Sequence, residues 1–202
     1  VLFEGNQAYT DGKRIVLPYM EEMTEETKND LVAFLDHEVG HCKFTTFEEI
    51  GKIKTRFHKE LVNAVEDVRI EREMCNEFPG AQLNLDPLNA KCRAMMNSNW
   101  KKLPMPIRAI VGIRDYMEGN VPRIDEDTKF IERVAVEAKA LNDCTSTEQI
   151  RIETLKIVNK IIRDKELEEK KDEKSKSDSK GEKSKSKKSK EDSKSEGAKS
   201  KD

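Results

Sequence analysis

The feature that most constrains this chain is the segment His37-Glu38-Val39-Gly40-His41, an H-E-x-x-H pattern. Two histidines four residues apart lie about one turn apart on the same face of an α-helix. Neutral imidazole nitrogens at this separation can bind one Zn²⁺. Glu38 follows the first histidine and lies beside the metal, where it can act as a general base toward a water that the metal activates. The motif therefore predicts metal ligands at His37 and His41 and a catalytic role for Glu38.

A catalytic zinc centre needs a third protein ligand and keeps one position open. The pattern that places a third histidine shortly after the motif, H-E-x-x-H-x-x-G-x-x-H, is excluded, because Phe44 and Phe47 occupy its Gly and final His positions. A carboxylate from the next long helix is the remaining common solution. Glu66 is the preferred third metal ligand, and Asp67 is the alternative.

Further polar residues are candidates for supporting roles. Asn63, Glu66 and Asp67 lie on one face of the predicted helix, so either Asn63 or Asp67 can hydrogen-bond a ligand imidazole. A tyrosine hydroxyl can steady the oxyanion that forms during acyl transfer. The candidates for that role are Tyr9, Tyr19 and Tyr116.

Residues 1–18 predict short strands and a β-hairpin. Asp11-Gly12 separates the runs Ala8–Thr10 and Arg14–Leu17, and Asp-Gly between such runs is typical of a hairpin turn. An exposed edge of this sheet can hold an extended peptide by strand addition. In the alternative interpretation the hairpin only covers the helices.

Sequence patterns predict helices over most of the remaining chain, up to about Glu169. Apolar residues repeat at three and four between Thr24 and Cys42, which marks the helix of the motif. A second helix begins near Phe57 or Glu60, extends to Cys75 and ends before Pro79-Gly80. Other helix signals are the pairs Thr46/Glu49 and Ser146/Gln149, read as capping boxes, the segment Ile107–Tyr116 after two prolines, and a helix through Ala140 capped by Asp125 or Asp127.

The C-terminal segment has a different composition. From Lys171 to Asp202 there are 12 Lys, 8 acidic residues and one apolar residue, Ala198. Such a segment cannot bury enough apolar surface to offset its ordering entropy. We therefore expect a metal-binding domain over residues 1–168 and a disordered Lys/Ser/Glu-rich linker or tail over residues 169–202.

Charge and cysteine usage limit the partners and the compartment. With 38 basic and 40 acidic residues in all, the first 170 residues hold 26 basic and 32 acidic side chains, a balance that argues against a nucleic-acid-binding core. The four cysteines form no C-x-x-C pair, which favours a reducing compartment. No apolar run approaches the ~20 residues of a membrane span, and residues 1–4 lack the features of a signal peptide. The expected location is cytoplasmic, without a membrane partner.

Three segments in this order resemble a known protein group: AYTDGKRIVLP, LDHEVGHCKFTTF and NAVEDVRIEREM. Together they are similar to the N-terminal part of bacterial and phage proteins related to the CobT subunit of cobaltochelatase. Members combine an H-E-x-x-H segment, an N-x-x-E-D-x-R-I-E helix, a charged linker and a C-terminal von Willebrand factor A domain. The resemblance covers about residues 1–80. It implies metal ligands at His37 and His41, an acid/base role for Glu38, and a carboxylate ligand within Glu66-Asp67. It also implies a longer protein, because no von Willebrand domain lies within these 202 residues.

The motif and the resemblance lead to one expected fold class and two expected functions. The fold class is a mainly α, zincin-like domain of α+β type with a small N-terminal sheet. The first function is a zinc-dependent metallopeptidase that acts on a protein or peptide substrate. The alternative is a non-catalytic assembly subunit that works with an AAA+ ATPase, as in cobaltochelatase-type complexes. A phage-encoded member would act in the host cytoplasm.

Overall fold

The computed structural model of the chain describes residues 1–120 and 136–160. Three strands come first, β1 (Leu2–Phe3), β2 (Tyr9–Thr10) and β3 (Ile15–Leu17). The helices that follow are α1 (Glu25–Phe44), α2 (Phe47–Gly51), α3 (Arg56–Glu77), α4 (Ala81–Ser98) and α5 (Met105–Met117), with a 3-10 turn at Trp100–Lys102. Residues 136–142 (α6) and 147–160 (α7) are also helical. The predicted mainly helical fold with a small N-terminal sheet is confirmed.

Residues Val1–Val158 form one compact unit, and Asn159–Asp202 fall in a second. The expected domain limit at residue 168, the tail over 169–202, the helix end near Glu169 and the caps at Asp125 and Asp127 lie outside the described residues. None of the described helices has the length and hydrophobicity needed to cross a membrane.

The sheet has the strand order β1-β3-β2. Strand β2 pairs antiparallel with β3, with Tyr9 opposite Val16, so the predicted hairpin is confirmed. Strand β1 pairs parallel with β3 on its other side, a pairing that no local signal indicated. Because β3 is central and buries Val16 and Leu17, the outer strand β2 forms one edge of the sheet.

The hairpin turn is organised by Asp11. One carboxylate oxygen of Asp11 accepts hydrogen bonds from the backbone N–H groups of Lys13 (2.9 Å) and Arg14 (2.8 Å), and the other accepts two from the Arg14 guanidinium (3.1 and 3.3 Å). Gly12 adopts φ +84°, and a Cβ there would lie 2.7 Å from Cδ2 of Phe47. The glycine thus permits both the turn and the close packing of the hairpin on α2.

Neither of the two predicted capping boxes forms in full. Thr24 caps α1 through Thr27, but Thr46 begins α2 without a side-chain hydrogen bond. The Thr46/Glu49 capping box is wrong, because the Glu49 carboxylate pairs with Lys52 and Arg151 instead. At α7, Ser146 accepts from the backbone N–H of Gln149 at 3.3 Å, as in a capping box. The Gln149 side chain, however, accepts from Thr145 at 2.7 Å, one residue earlier than expected.

Helix α3 is the centre of the helical layer. It contacts α1, α4 and α5, and α1 also contacts α4 and strand β3. The buried apolar side chains of α3 are Leu61, Val62, Val65, Val68, Ile70 and Met74. At Gly40 of α1, an added Cβ would lie 2.9 Å from Ile70 Cδ1 and 2.9 Å from Met74 Cγ. The glycine inside the H-E-x-x-H motif therefore lets α3 approach α1 closely, next to both histidines.

We predict that Gly40→Ala lowers the free energy of unfolding by about 1 kcal/mol. Overpacking a core costs about 1–3 kcal/mol, which exceeds the gain of about 1 kcal/mol in helix propensity. Gly51→Ala is the matched control, because a Cβ at Gly51 meets nothing within 4 Å. Urea unfolding of both variants measures the difference. Equal stabilisation of both variants would show that α1 and α3 have room at Gly40.

We also predict that the Asp11 carboxyl titrates far below its ordinary range. The backbone N–H groups of Arg14 and Lys13 and the Arg14 side chain lower the pKa of Asp11 from 3.8 to about 2. The charged form is favoured by folding, so its contribution to hairpin stability is present above the unfolded pKa and is lost as the pH falls through about 2. An NMR titration of the carboxyl checks this value, with Asp11→Asn as the control that lacks the transition. An Asp11 pKa near 3.8 in the folded chain would contradict the turn.

Candidate metal centre

The two histidines of the H-E-x-x-H motif face helix α3 from the last two turns of α1. Their ring centroids are 4.8 Å apart, and the rings are nearly perpendicular at 78°. The helical spacing of four residues gives this arrangement, because positions i and i+4 lie on one face. Both Nε2 atoms are directed toward the same side chain on α3.

That side chain is Asp67. Its Oδ1 lies 3.2 Å from Nε2 of His41 and 3.7 Å from Nε2 of His37. One ligand atom from each of the three residues lies within 4.8 Å of the other two, a spacing that suits a shared metal ion. Among the described residues, His37, His41 and Asp67 form a possible metal-binding triad.

The second nitrogen of each imidazole is held by a separate acceptor. Nδ1 of His37 lies 2.9 Å from Oε1 of Glu71, and Nδ1 of His41 lies 3.0 Å from Oγ1 of Thr45. Metal-binding histidines typically donate their non-ligand N–H to a carboxylate or another oxygen, which fixes the ring and its tautomer. Both Nε2 atoms are thereby left to face Asp67.

The guanidinium of Arg114 on α5 completes this cluster. It donates to the second oxygen of Asp67 at 3.0 Å and approaches Glu71 at 3.4 Å. Burial by itself would raise the pKa of Asp67, but the hydrogen bond from His41 and the charges of His37 and Arg114 lower the pKa below its usual value. Asp67 is therefore ionised, with Oδ2 committed to Arg114 and Oδ1 left for the histidines.

The chemistry of these donors fits a divalent cation. Burial lowers the pKa of His37, but the hydrogen bond to Glu71 and the charges of Asp67 and Glu71 outweigh it and raise the pKa above its usual value. The His37 imidazole thus lies in a field that favours positive charge. In the metal-free chain, Nε2 of His41 donates to the Asp67 carboxylate at 3.2 Å. A divalent cation can replace that proton and bind both Nε2 of His41 and Oδ1 of Asp67.

Glu38 differs from every other acidic residue around the centre. Its side chain is buried, at 5% exposed, yet no hydrogen bond or ion pair engages its carboxyl among the described residues. Burial raises the pKa of Glu38, while the histidines oppose that rise. The carboxyl oxygens of Glu38 are not among the fully buried atoms that lack a partner, so they open to a cavity beside the histidines. An accessible carboxyl that no protein donor holds, next to a candidate metal site, is typical of a general acid/base.

A cavity of about 400 Å³ opens at the centre. Helices α1, α2 and α3 and the edge strand β2 contribute to it. Its lining residues are Ala8, Tyr9, Thr10, His37, Glu38, His41, Thr45, Phe47, Ile50, Lys59, Asn63 and Glu66. Both histidines, the unpaired carboxyl and one sheet edge therefore share a single recess.

The preferred third ligand from the sequence, Glu66, does not belong to the triad. Its carboxylate accepts hydrogen bonds from Arg69 at 2.6 and 3.0 Å, from Thr45 at 2.9 Å and from Thr147 at 2.7 Å. Consecutive helical residues point about 100° apart, so one of the Glu66-Asp67 pair faces the histidines and the other does not. The structure gives the position beside the histidines to the alternative, Asp67.

Several supporting residues are placed differently from expectation. Asn63 lines the cavity without a hydrogen bond to either histidine among the described residues, whereas the other candidate, Asp67, does hydrogen-bond His41. The Nδ1 atoms of the two imidazoles contact oxygens of Glu71 and Thr45, neither of which was predicted from the sequence. Glu71 lies four residues after Asp67, so helical spacing alone offered a signal for it. Arg114 had no such signal, because its role depends on how α5 packs. Of the three tyrosine candidates, Tyr9 lines the cavity, whereas Tyr19 and Tyr116 are not among its lining residues.

Comparisons with protein-family models, curated proteins and solved structures found no match to this chain. Evidence for a metal-binding role therefore comes from the residues of this chain and their geometry.

We predict that the chain binds about one divalent metal ion, as expected for a single three-ligand site. His41→Ala and Asp67→Ala should each lose the bound ion, because each removes one of three ligands. Asp86→Ala, an exposed carboxylate on α4, is the matched control and should retain it. Metal content after dialysis, measured by plasma mass spectrometry, decides the question. An Asp67→Ala chain that keeps the same metal content as the wild type would exclude Asp67 as a ligand.

Proposed function

We propose that this chain is a zinc-dependent metallopeptidase domain that hydrolyses peptide bonds. The observation that carries the proposal is the Glu38 carboxyl, which opens to the same cavity as both histidines and is held by no protein donor among the described residues. A carboxyl in this position is free to act on a water molecule beside the histidines. The site suits hydrolysis because a nucleophilic water needs a base beside the metal.

Zinc is the metal that the donor set favours. Two imidazoles and one carboxylate are an established set of protein ligands in catalytic zinc centres, which keep a further position open for water or substrate. The cavity beside His37 and His41 provides access for both. Zinc bound there would polarise the scissile carbonyl and make a water acidic enough to deprotonate near neutral pH.

Glu38 supplies the proton transfers. Its carboxylate accepts the proton of the attacking water and then delivers it to the leaving amine. Burial of Glu38 raises the pKa of its carboxyl, which brings it closer to the range in which one group can both accept and release a proton. Asp67 stays ionised because Arg114 and the histidines favour its charge, so the two carboxylates have separate tasks.

The edge strand β2 is the proposed contact for the substrate backbone. Ala8, Tyr9 and Thr10 line the cavity beside the histidines, and within the described residues β2 is paired on one side only, by β3. An extended peptide can add to such an edge through main-chain hydrogen bonds, so that its scissile bond lies over the centre. This favours the substrate-binding interpretation of the hairpin over a purely covering one.

The resemblance to CobT-related proteins adds support from the same residues. His37, Glu38, His41 and Asp67 all fall within the segments that carry the resemblance. The four cysteines are free thiols in the structure, which is compatible with the proposed cytoplasmic location. An assembly role beside an AAA+ ATPase remains the alternative that a catalytically silent site would favour.

We predict that Glu38→Gln lowers peptidase activity about 10²–10⁴-fold, the usual contribution of general acid–base catalysis. The variant should keep its bound metal, because Glu38 is not a ligand. Glu48→Gln, an exposed glutamate on α2, is the matched control and should keep full activity. Cleavage of an unfolded casein substrate, with metal content measured in parallel, tests the pair. Equal activity in Glu38→Gln and the wild type would refute the catalytic assignment, and no cleavage by a zinc-loaded wild type would favour the assembly role.

A further inference from the structure

Thr45 is the C-cap residue directly after α1, and its side chain contacts the second histidine of the motif. Thr45 follows His41 by four residues, and its backbone N–H donates to the His41 carbonyl at 3.0 Å. The Thr45 Oγ1 then lies 3.0 Å from Nδ1 of His41 and 2.9 Å from Oε1 of Glu66. One hydroxyl thus joins a metal-ligand candidate on α1 to a carboxylate on α3.

The direction of these hydrogen bonds follows from Glu66. Arg69 donates two hydrogen bonds to its carboxylate, and Thr147 donates a third from α7 at 2.7 Å. An ionised carboxylate accepts and never donates. Glu66 is 1% exposed, so its oxygens have little access to water and depend on these protein donors.

Thr45 has a single hydroxyl proton, and its hydroxyl uses that proton to donate a hydrogen bond to Glu66. The Thr45 oxygen can therefore only accept from the imidazole, which requires the proton of His41 to be on Nδ1. Nε2 of His41 is then the nitrogen that faces Asp67 at 3.2 Å, where it donates to the carboxylate in the metal-free chain and can bind a metal once its proton has left. His37 reaches the same tautomer by direct contact of its Nδ1 with the Glu71 carboxylate.

We propose that Thr45 and Glu66 are a positioning pair that sets the tautomer and orientation of His41 for metal binding. This inference rests on the proposed metal site and assigns a role to the carboxylate that the sequence had suggested as a ligand. The Thr45 hydroxyl lies between the Glu66 carboxylate and His41 and hydrogen-bonds both, whereas the Glu71 carboxylate hydrogen-bonds His37 directly.

Thr147 provides an internal control for this role. It donates to the same Glu66 oxygen as Thr45 and accepts from the Thr46 backbone N–H at 2.9 Å, but it does not contact His41. Thr45→Val and Thr147→Val each remove one hydroxyl donor from Glu66. Only Thr45→Val also removes the acceptor of Nδ1.

The test measures Zn²⁺ affinity of the full chain by competition with a chromophoric chelator. Thr45→Val should bind about 10–100-fold more weakly, the usual cost of losing an outer-shell partner of a metal ligand. Thr45→Ser should restore wild-type affinity, because serine keeps the hydroxyl. Thr147→Val should bind as the wild type does, even if its unfolding free energy falls.

A second readout needs no metal. In metal-free chain with ¹⁵N-labelled histidine, NMR should show a proton on Nδ1 of His41 in the wild type and in Thr147→Val. An unprotonated Nδ1 in the wild type would overturn the inference, as would wild-type affinity in Thr45→Val or an equal loss in both valine variants. A wild type that binds no Zn²⁺ would refute the proposed function instead. The Nδ1 signal of the metal-free chain would then be the test of whether Thr45 and Glu66 set the protonation of His41.

Discussion

The contact between the Asp67 carboxylate on α3 and the two imidazoles on α1 is the interaction on which the rest of the structure depends. It brings together charged and polar groups from two helices at a depth where Asp67 is only 7% exposed. Such groups are costly to bury unless each has a partner. The surrounding structure supplies those partners: Arg114 from α5 for Asp67, Glu71 for His37, and Thr45 for His41. Close approach of the helices at Gly40 allows the contact to form.

Two adjacent acidic residues on α3 form ion pairs with different arginines and contact different parts of the structure. Glu66 and Asp67 differ by about 100° around the helix, and each faces its own arginine: Arg69 for Glu66 and Arg114 for Asp67. Glu66 joins α3 to the end of α1 and to α7, whereas Asp67 faces the histidines. Removing one partner of such a buried pair leaves an uncompensated charge, so the two carboxylates cannot exchange roles without changes in both arginines.

Local signals predicted much of the fold and half of the site. Asp11-Gly12 specified the hairpin, Thr24 the start of α1, and the spacing of His37 and His41 their common face, because each depends on residues a few positions apart. The sequence could not decide whether Glu66 or Asp67 faces the histidines, because that depends on how α3 is rotated about its axis relative to α1. Arg114 is separated from Asp67 by 47 positions, and its contact follows only from the packing of α5. The parallel pairing of β1 with β3 likewise has no local signature.

The four carboxyls around the candidate metal centre differ in their hydrogen-bond partners. Asp67, Glu71 and Glu66 each accept hydrogen bonds from protein donors, which fixes their charge and position. Glu38 is buried to a similar degree but has no such donor among the residues described here, and it faces a cavity beside an edge strand. Its oxygens are not among the fully buried atoms that lack a partner, so they open to that cavity. A carboxyl that protein donors leave free is available to accept a proton from water, and the peptide hydrolysis that we propose for this centre requires that availability.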